Sequence, residues 1–146
     1  MVNKVQSWLV HIFTALGALA GFLSLVAILS DNIFLAFIWL SLAFFIDGVD
    51  GTFARRYQVK EMVPAIDGSI LDNIVDYLNY VFIPAVIVYW FSLVPPQLTL
   101  LAVALILIVS CYTFANTKLK TEDNYFRGFP AVWNIVIFYL FVIGTS

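Results

Sequence analysis

The sequence predicts an all-α membrane protein, folded as a polytopic helical bundle, on two observations. Of its 146 residues, 63% are hydrophobic and only 11% are charged. Folded soluble proteins keep many charged side chains on their surface, so lipid must cover most of this apolar chain. The second observation is that the apolar residues fall into five long runs, most of which reach the length of about 20 residues that a helix needs to cross the hydrocarbon core.

The five runs define the expected membrane helices, which cover residues 8–29, 33–54, 70–93, 97–116 and 130–146. The first follows Lys4 and contains a stretch at 18–20 that resembles a signal-peptide cleavage site. Because the apolar residues continue to Leu29, we interpret it as a retained helix, with a signal peptide as the alternative. The fifth run would be about 25 Å long as a helix, against a core of about 30 Å.

The basic residues indicate the orientation in the membrane. All of them lie before the first run, after the second or after the fourth: Lys4, Arg55, Arg56, Lys60, Lys118, Lys120 and Arg127. The two other turns, at 30–32 and 94–96, contain none. Lys and Arg are enriched on the cytoplasmic side, so the N-terminus and the longer loops are predicted to be cytoplasmic. The net charge of −2 gives no electrostatic reason to expect nucleic-acid binding.

Four aspartates lie near the ends of the second and third runs, where each costs about 2.5–3.5 kcal/mol to insert into a membrane. Asp47 and Asp50 share a helical stripe with two small residues, Gly51 and Ala54. The second stripe consists of Gly68, Asp72 and Asp76. If the two helices pack as an antiparallel pair, the four carboxylates face one another.

Facing carboxylates repel one another unless cations lie between them. An all-oxygen ligand set favours Mg²⁺ or Mn²⁺, which usually completes its shell with substrate phosphates. Arg55 can bind phosphate through its fork of donors. The residues therefore predict a site for a phosphate-containing substrate at the cytoplasmic surface. The alternative, that the acidic residues are solvated loop residues, is preferred for Asp67, Glu61, Glu122 and Asp123.

The residues at 47–55, read as Asp-Gly-Val-Asp-Gly-Thr-Phe-Ala-Arg, together with the later Gly-x3-Asp-x3-Asp pattern at 68–76, resemble the signature of the CDP-alcohol phosphotransferase family. Two further features resemble the bacterial phosphatidylcholine synthase branch of this family. They are the long spacing between Arg55 and Gly68 and the sequence at 120–134. The family has a six-helix core, so the resemblance implies five helices of a six-helix or longer core. We expect a single domain over 1–146 that is truncated at its C-terminus and has little activity alone.

The resemblance implies a reaction in a bacterial inner membrane, in which CDP-diacylglycerol and choline give phosphatidylcholine and CMP. It also implies a homodimer and two divalent ions, Mn²⁺ or Mg²⁺. The implied metal ligands are Asp47, Asp50, Asp72 and Asp76, with Asp76 also deprotonating the alcohol. The implied contacts to the CDP part are Gly51, Ala54, Arg55 and Gly68.

A quaternary ammonium group such as that of choline is usually held by aromatic faces. Tyr77 and Trp133 are the candidates for such a cage, although aromatic residues also form a belt at membrane interfaces. His11, with Thr14 one turn further on, could contact the nucleotide, but a hydrogen bond to a neighbouring helix is the more common role.

Two other functions fit the same residues. One is the same chemistry with serine, inositol or glycerol phosphate as the acceptor. The other is a membrane protein that binds or transports a divalent cation. Transporters place such sites near the midplane of the bilayer, whereas these aspartates lie at helix ends on one side, which favours an enzyme.

Overall fold

The computed structural model describes residues 3–116 and 131–144, and their regular structure is entirely helical. The helices are α1 (Lys4–Leu29), α2 (Ile33–Arg56), α3 (Val59–Met62), α4 (Gly68–Tyr77), a π-helical stretch (Leu78–Phe82), α5 (Ile83–Trp90), α6 (Pro96–Ala115) and α7 (Trp133–Gly144). They form two compact units, of which the first ends at Asn79 and the second begins at Tyr80.

The structure confirms the predicted fold class. Four helical segments are long and apolar enough to cross a membrane, namely α1, α2, Gly68–Trp90 and α6, and the fifth run gives the shorter helix α7. Most helix ends differ from the predicted runs by one to four residues. Pro96 begins α6 rather than ending a turn, because proline suits the first turn of a helix. The short helix α3 was not predicted, since its four residues carry no periodic apolar pattern.

Helices α1 and α2 form an antiparallel pair in the first unit. At one end, the hydroxyl of Ser7 donates to the carbonyl oxygen of Tyr57 at 2.8 Å. At the other end, the hydroxyl of Ser24 donates to the carbonyl oxygen of Ala36 at 3.0 Å. The pair turns at residues 30–32, where the Asn32 side chain caps α2 by accepting from the backbone N–H of Leu35. The start of α1 and the end of α2 therefore lie together.

The two faces of α1 differ in the size of their side chains. The exposed face carries large apolar residues, and these are Leu9, Ile12, Leu16, Leu19 and Phe22. The buried face carries small or polar residues, and these include Ser7, His11, Thr14, Gly17, Gly21 and Ser24. Small residues let helix backbones approach closely, and this is the usual basis of helix packing in lipid. Helix α1 accordingly packs against α2, α3 and α4.

Helix α4 has a defined start and an irregular end. Its N-cap is Asp67, whose carboxylate accepts from the hydroxyl and the backbone N–H of Ser69 and from the backbone N–H of Ile70. These hydrogen bonds hold the pKa of Asp67 below its ordinary value. At the other end, α4 runs into the π-helical stretch, six residues before Pro84. Proline lacks an N–H and clashes with the carbonyl group four residues earlier, and a widened turn relieves that clash.

The second unit packs α5 against α6 and α7. Within it, the indole N–H of Trp133 donates to the hydroxyl of Ser110 at 2.9 Å, which joins the start of α7 to α6. Most of the α6 surface is exposed and apolar, as suits a helix that faces lipid. The longer loop predicted after the fourth run lies outside the described residues.

The cap of α4 generates a prediction about stability. Replacement Asp67→Ala removes the acceptor for two backbone N–H groups, so the thermal unfolding temperature in detergent should fall at neutral pH. Asn is an equally good N-cap residue, so Asp67→Asn should unfold near the temperature of the unmodified chain. Because the pKa of Asp67 is lowered by folding, its stabilising effect should be present at neutral pH and lost as the carboxylate protonates in acid. Equal unfolding temperatures for both variants would contradict this role.

Candidate active site

Three carboxylates from two helices converge in the first unit. Asp47 and Asp50 come from the last turns of α2, and Asp72 comes from the second turn of α4. Each offers one oxygen atom, and these oxygens all lie within 4.8 Å of one another. Asp50 is 6% exposed, whereas the other two side chains are half-buried. The two aspartate stripes that the sequence contains therefore do meet at one place.

Asp76 lies beside this group of three. Its carboxyl group is close enough to Asp47 for a hydrogen bond between the two side chains, and it interacts electrostatically with Asp72 and Asp50. The structure thus brings together all four aspartates, with Asp76 at the margin of the compact group.

Helix α1 contributes a hydrogen bond to the cluster. The hydroxyl of Thr14 donates to the carboxylate of Asp50, the most buried of the three converging side chains. One turn further along α1, the carbonyl oxygen of Gly17 accepts from the side chain of Asn79, which follows Asp76 by three residues. No pattern in the sequence indicates these contacts directly, although Thr14, Gly17 and Asn79 are small or polar residues inside apolar runs, which is where such contacts occur.

The chemistry of the group fits a small divalent cation. All of its donor atoms are carboxylate oxygens, which suit Mg²⁺ or Mn²⁺. The three oxygens lie within 4.8 Å of one another, so an inward movement of the side chains would let them ligate one ion together. The roles of these aspartates as metal ligands remain predictions.

The residues predicted to contact the CDP part lie at the ends of the same helices. The guanidinium of Arg55 donates to the hydroxyl of Thr52 at 3.3 Å, and a Cβ atom on Gly51 would lie 3.6 Å from its Nη1 atom. Arg55 is exposed, and Ala54 is half-buried next to it in the last turn of α2. The lack of a side chain at Gly51 leaves the guanidinium close to the α2 backbone, where it can move toward a bound phosphate.

Gly68, at the start of α4, faces His11 of α1. A Cβ atom on Gly68 would lie 3.5 Å from the Cε1 atom of His11. His11 is 5% exposed, and its Nε2 atom has no hydrogen-bond partner within the part of the chain that the structure describes. The ring also makes an edge contact with Trp8 at a centroid distance of 6.1 Å. The expectation that His11 bonds a neighbouring helix through this nitrogen is therefore not met among these residues.

The two aromatic residues predicted to hold an ammonium group lie in different units. Tyr77 ends α4 and is half-buried next to Asp76 in the chain. Trp133 begins α7 in the second unit, where its indole N–H is bonded to Ser110. A cage made of both stays a prediction.

Comparisons with known proteins identify the same family that the aspartate signature resembles. The profile of the CDP-alcohol phosphatidyltransferase family matches residues 8–145. A phosphatidylcholine synthase of Pseudomonas aeruginosa is 47% identical over 142 residues, which cover 97% of this chain and 60% of that protein. Proteins of the same name from Mesorhizobium japonicum (45%; 96% of this chain and 52% of the relative) and Borreliella burgdorferi (44%; 93% and 58%) are also similar. The chain thus spans half to three fifths of these relatives. No solved structure matches it.

The carboxylate cluster generates a prediction in two parts. In EDTA, Asp72→Asn should unfold at a higher temperature than the unmodified chain, because one of several mutually repelling charges is gone. Added Mn²⁺ should raise the unfolding temperature of the unmodified chain, by an amount equivalent to about 2.7 kcal/mol when the free ion is at 100 times its Kd. The same addition should have little effect on Asp72→Asn.

The matched control is Asp31→Asn, which makes the same chemical change at the opposite end of α2. Asp31 has a positive φ of 55°, which Asn also tolerates. This variant should respond to Mn²⁺ as the unmodified chain does. Equal Mn²⁺ responses in Asp72→Asn and Asp31→Asn would show that the ion binds elsewhere.

Proposed function

Because the chain belongs to the CDP-alcohol phosphatidyltransferase family, we propose that it transfers a phosphatidyl group from CDP-diacylglycerol to choline, giving phosphatidylcholine and CMP. The observation that carries the proposal is the convergence of Asp47, Asp50 and Asp72, which belong to the two halves of the family signature. The choice of choline rests on the relatives, which are phosphatidylcholine synthases and are each longer than this chain.

In the proposed step, the hydroxyl oxygen of choline forms a bond to the phosphorus atom of the phosphatidyl group. The bond from that phosphorus to the bridging oxygen breaks, and this oxygen leaves with CMP. The proton of the hydroxyl group goes to the carboxylate of Asp76. A carboxylate is a weak base toward an alcohol, so proton transfer has to accompany formation of the O–P bond.

Asp76 suits the proton-accepting role by its position. It lies at the margin of the compact group of three carboxylates and interacts with each of them. A general base must lie within hydrogen-bond reach of the proton that it accepts, and a position beside the proposed cation site would place Asp76 next to the reacting phosphoryl group.

The other residues bind and orient the donor. Asp47, Asp50 and Asp72, with Asp76, would hold two divalent cations, Mg²⁺ or Mn²⁺, and such ions neutralise the charge of a diphosphate when bound. The guanidinium of Arg55 would donate to phosphate oxygens, and the absence of side chains at Gly51 and Gly68 would let the CDP part approach the backbone. Ala54 keeps the same face of α2 small. Positioning and charge stabilisation account for most of the catalysis in phosphoryl transfer.

Choline has no N–H donor, so its recognition depends on aromatic faces and nearby negative charge. Tyr77 follows Asp76 directly and supports the proposal best, while Trp133 is the second candidate. The same aromatic positions would not distinguish choline from a smaller alcohol by hydrogen bonding. The acceptor is therefore the part of the proposal that most needs an assay.

The proposed location is the inner membrane of a bacterium, with the N-terminus and the site on the cytoplasmic side. Lys4, Arg55 and Arg56 all lie at the end of the α1–α2 pair where Ser7 meets Tyr57, and the aspartates lie near that end. A homodimer is proposed from the family resemblance alone.

The first prediction from this proposal concerns the acceptor. Membranes of cells that express the complete gene to which this sequence belongs should incorporate labelled choline into lipid when CDP-diacylglycerol is supplied. EDTA should abolish incorporation, and Mn²⁺ or Mg²⁺ should restore it. Parallel assays with serine, inositol and glycerol phosphate provide the control. Preferential use of one of these alcohols would overturn the choice of choline, and full activity in EDTA would overturn the use of metal ions.

The second prediction concerns Asp76. Replacement Asp76→Asn keeps the volume of the side chain but removes the proton acceptor, so kcat should fall by about 10²–10⁴-fold. The KM for CDP-diacylglycerol should change much less. Asp47→Asn serves as the comparison, because loss of a binding carboxylate should weaken donor and metal binding together. Turnover near the original value in Asp76→Asn would show that another group accepts the proton.

A further inference from the structure

Asn79 is a buried polar residue at the point where α4 passes into the π-helical stretch. Only 3% of it is exposed, although the chain around it is apolar and expected to lie in a membrane. The family signature ends at Asp76, so nothing in the proposed reaction requires an amide at this position. A buried side-chain amide needs hydrogen bonds, and its contacts therefore indicate what it does.

The amide of Asn79 is inserted into a groove on α1. Its Nδ2 atom donates to the carbonyl oxygen of Gly17 at 3.0 Å. Its Oδ1 atom is directed at Gly21, where an added Cβ would collide with it. An added Cβ on Gly17 would lie 2.7 Å from Cγ1 of Val75, one turn earlier on α4. The two glycines are one turn apart and form a pocket on α1. This pocket has room for the side chains of Asn79 and Val75 only because neither glycine carries a Cβ atom.

The Asn79 amide is not fully satisfied by this packing. Its Oδ1 atom is buried without a hydrogen-bond partner in the part of the chain that the structure describes. Interhelical hydrogen bonds in membranes contribute little to stability on average, and an unsatisfied oxygen opposes it. Stability alone is therefore a poor reason for an amide here. The geometry is better explained by the precision with which the amide fixes α4 against α1.

Asn79 lies on the same face of its helix as the aspartates of the site. It follows Asp76 by three residues and Asp72 by seven, which are the spacings of one helical stripe. On α1, the acceptor Gly17 follows Thr14 by three residues, and Thr14 donates to Asp50 of α2. Near the site, helix α1 thus makes a polar contact to each of the two helical segments that supply the carboxylates.

We propose that Asn79 is a positioning residue, whose insertion between Gly17 and Gly21 sets the rotation of α4 that places Asp72 and Asp76 opposite Asp47 and Asp50. A helix has a radius of about 5–6 Å with its side chains, so a rotation of about 10° moves a carboxylate by about 1 Å. Ligand sites need their groups within about 0.5 Å and 10–20° of the required geometry. This inference rests on the proposed cation site.

The test compares Mn²⁺ affinity, measured by electron paramagnetic resonance titration of the purified chain in detergent, with thermal unfolding in EDTA. Asn79→Ala should lower Mn²⁺ affinity by about 10-fold or more, as is typical when a residue that orients metal ligands is lost. The matched control is Ser24→Ala, which removes another buried hydrogen bond of α1 at the far end of the α1–α2 pair. Its Mn²⁺ affinity should stay within about two-fold of the original, even if its unfolding temperature falls as far as that of Asn79→Ala.

Gly21→Ala provides a second, independent variant. It keeps the Asn79 amide but places a methyl group where Oδ1 lies, so it should also lower Mn²⁺ affinity. In the double variant Gly21→Ala/Asn79→Ala the added methyl group has room, so its loss should be smaller than the sum of the two single losses. If Asn79→Ala does not fold, the Mn²⁺ affinity of Gly21→Ala tests the inference instead. A loss of about 10-fold or more supports it, and an unchanged affinity overturns it.

The outcomes separate the inference from the function on which it rests. An unmodified chain that binds no Mn²⁺ at the cluster would overturn the cation site and the inference with it. An unmodified chain that binds Mn²⁺, with the same affinity in Asn79→Ala and Gly21→Ala, would overturn only the role of Asn79. Equal losses of affinity in Ser24→Ala and Asn79→Ala would also overturn it, because helix packing in general would then be responsible.

Discussion

Repulsion between carboxylates is the constraint around which the first unit is arranged. Asp47, Asp50 and Asp72 have oxygens within 4.8 Å of one another, and Asp76 interacts electrostatically with all three. Water screens such charges, but a bundle of apolar helices screens them much less. Packing elsewhere in the unit must therefore hold the two helices together against this repulsion. A divalent cation would turn the same groups from a destabilising feature into a stabilising one.

Helix α1 provides that packing because its buried face is made of small and polar residues. At one end of the pair, Ser7 donates to the backbone of the residue that follows α2. At the other end, Ser24 donates to the backbone of α2 itself. Between them, Thr14 bonds Asp50, and Gly17 accepts from Asn79. In lipid the large apolar side chains gain nothing by pairing with one another, so close backbone contact and hydrogen bonds decide which helices meet. The large residues of α1 accordingly point outward.

The sequence was sufficient to predict the membrane helices and the face that each pair of aspartates shares, because both depend on spacing along the chain. The meeting of the two faces also required the antiparallel packing that was expected of the two helices. Asp47 and Asp50 are three residues apart, and Asp72 and Asp76 are four residues apart, so each pair shares one face of its helix. The contacts of Thr14 and Asn79 were not predictable in this way. Their partners, Asp50 and Gly17, lie on other helices, and no periodicity within a helix identifies the helix that faces it. Asp67, which the sequence predicts to be a solvated loop residue, is exposed and also caps α4.

The central claim is that the aspartates of α2 and α4 hold divalent cations against the diphosphate of a CDP-linked lipid. The most direct test is an experimental structure with Mn²⁺ and CDP-diacylglycerol, in which the anomalous signal of manganese locates the ions. The account predicts manganese between Asp47, Asp50 and Asp72, with diphosphate oxygens completing its coordination and Arg55 on the same diphosphate. Manganese elsewhere, or a diphosphate bound away from these carboxylates, would contradict it.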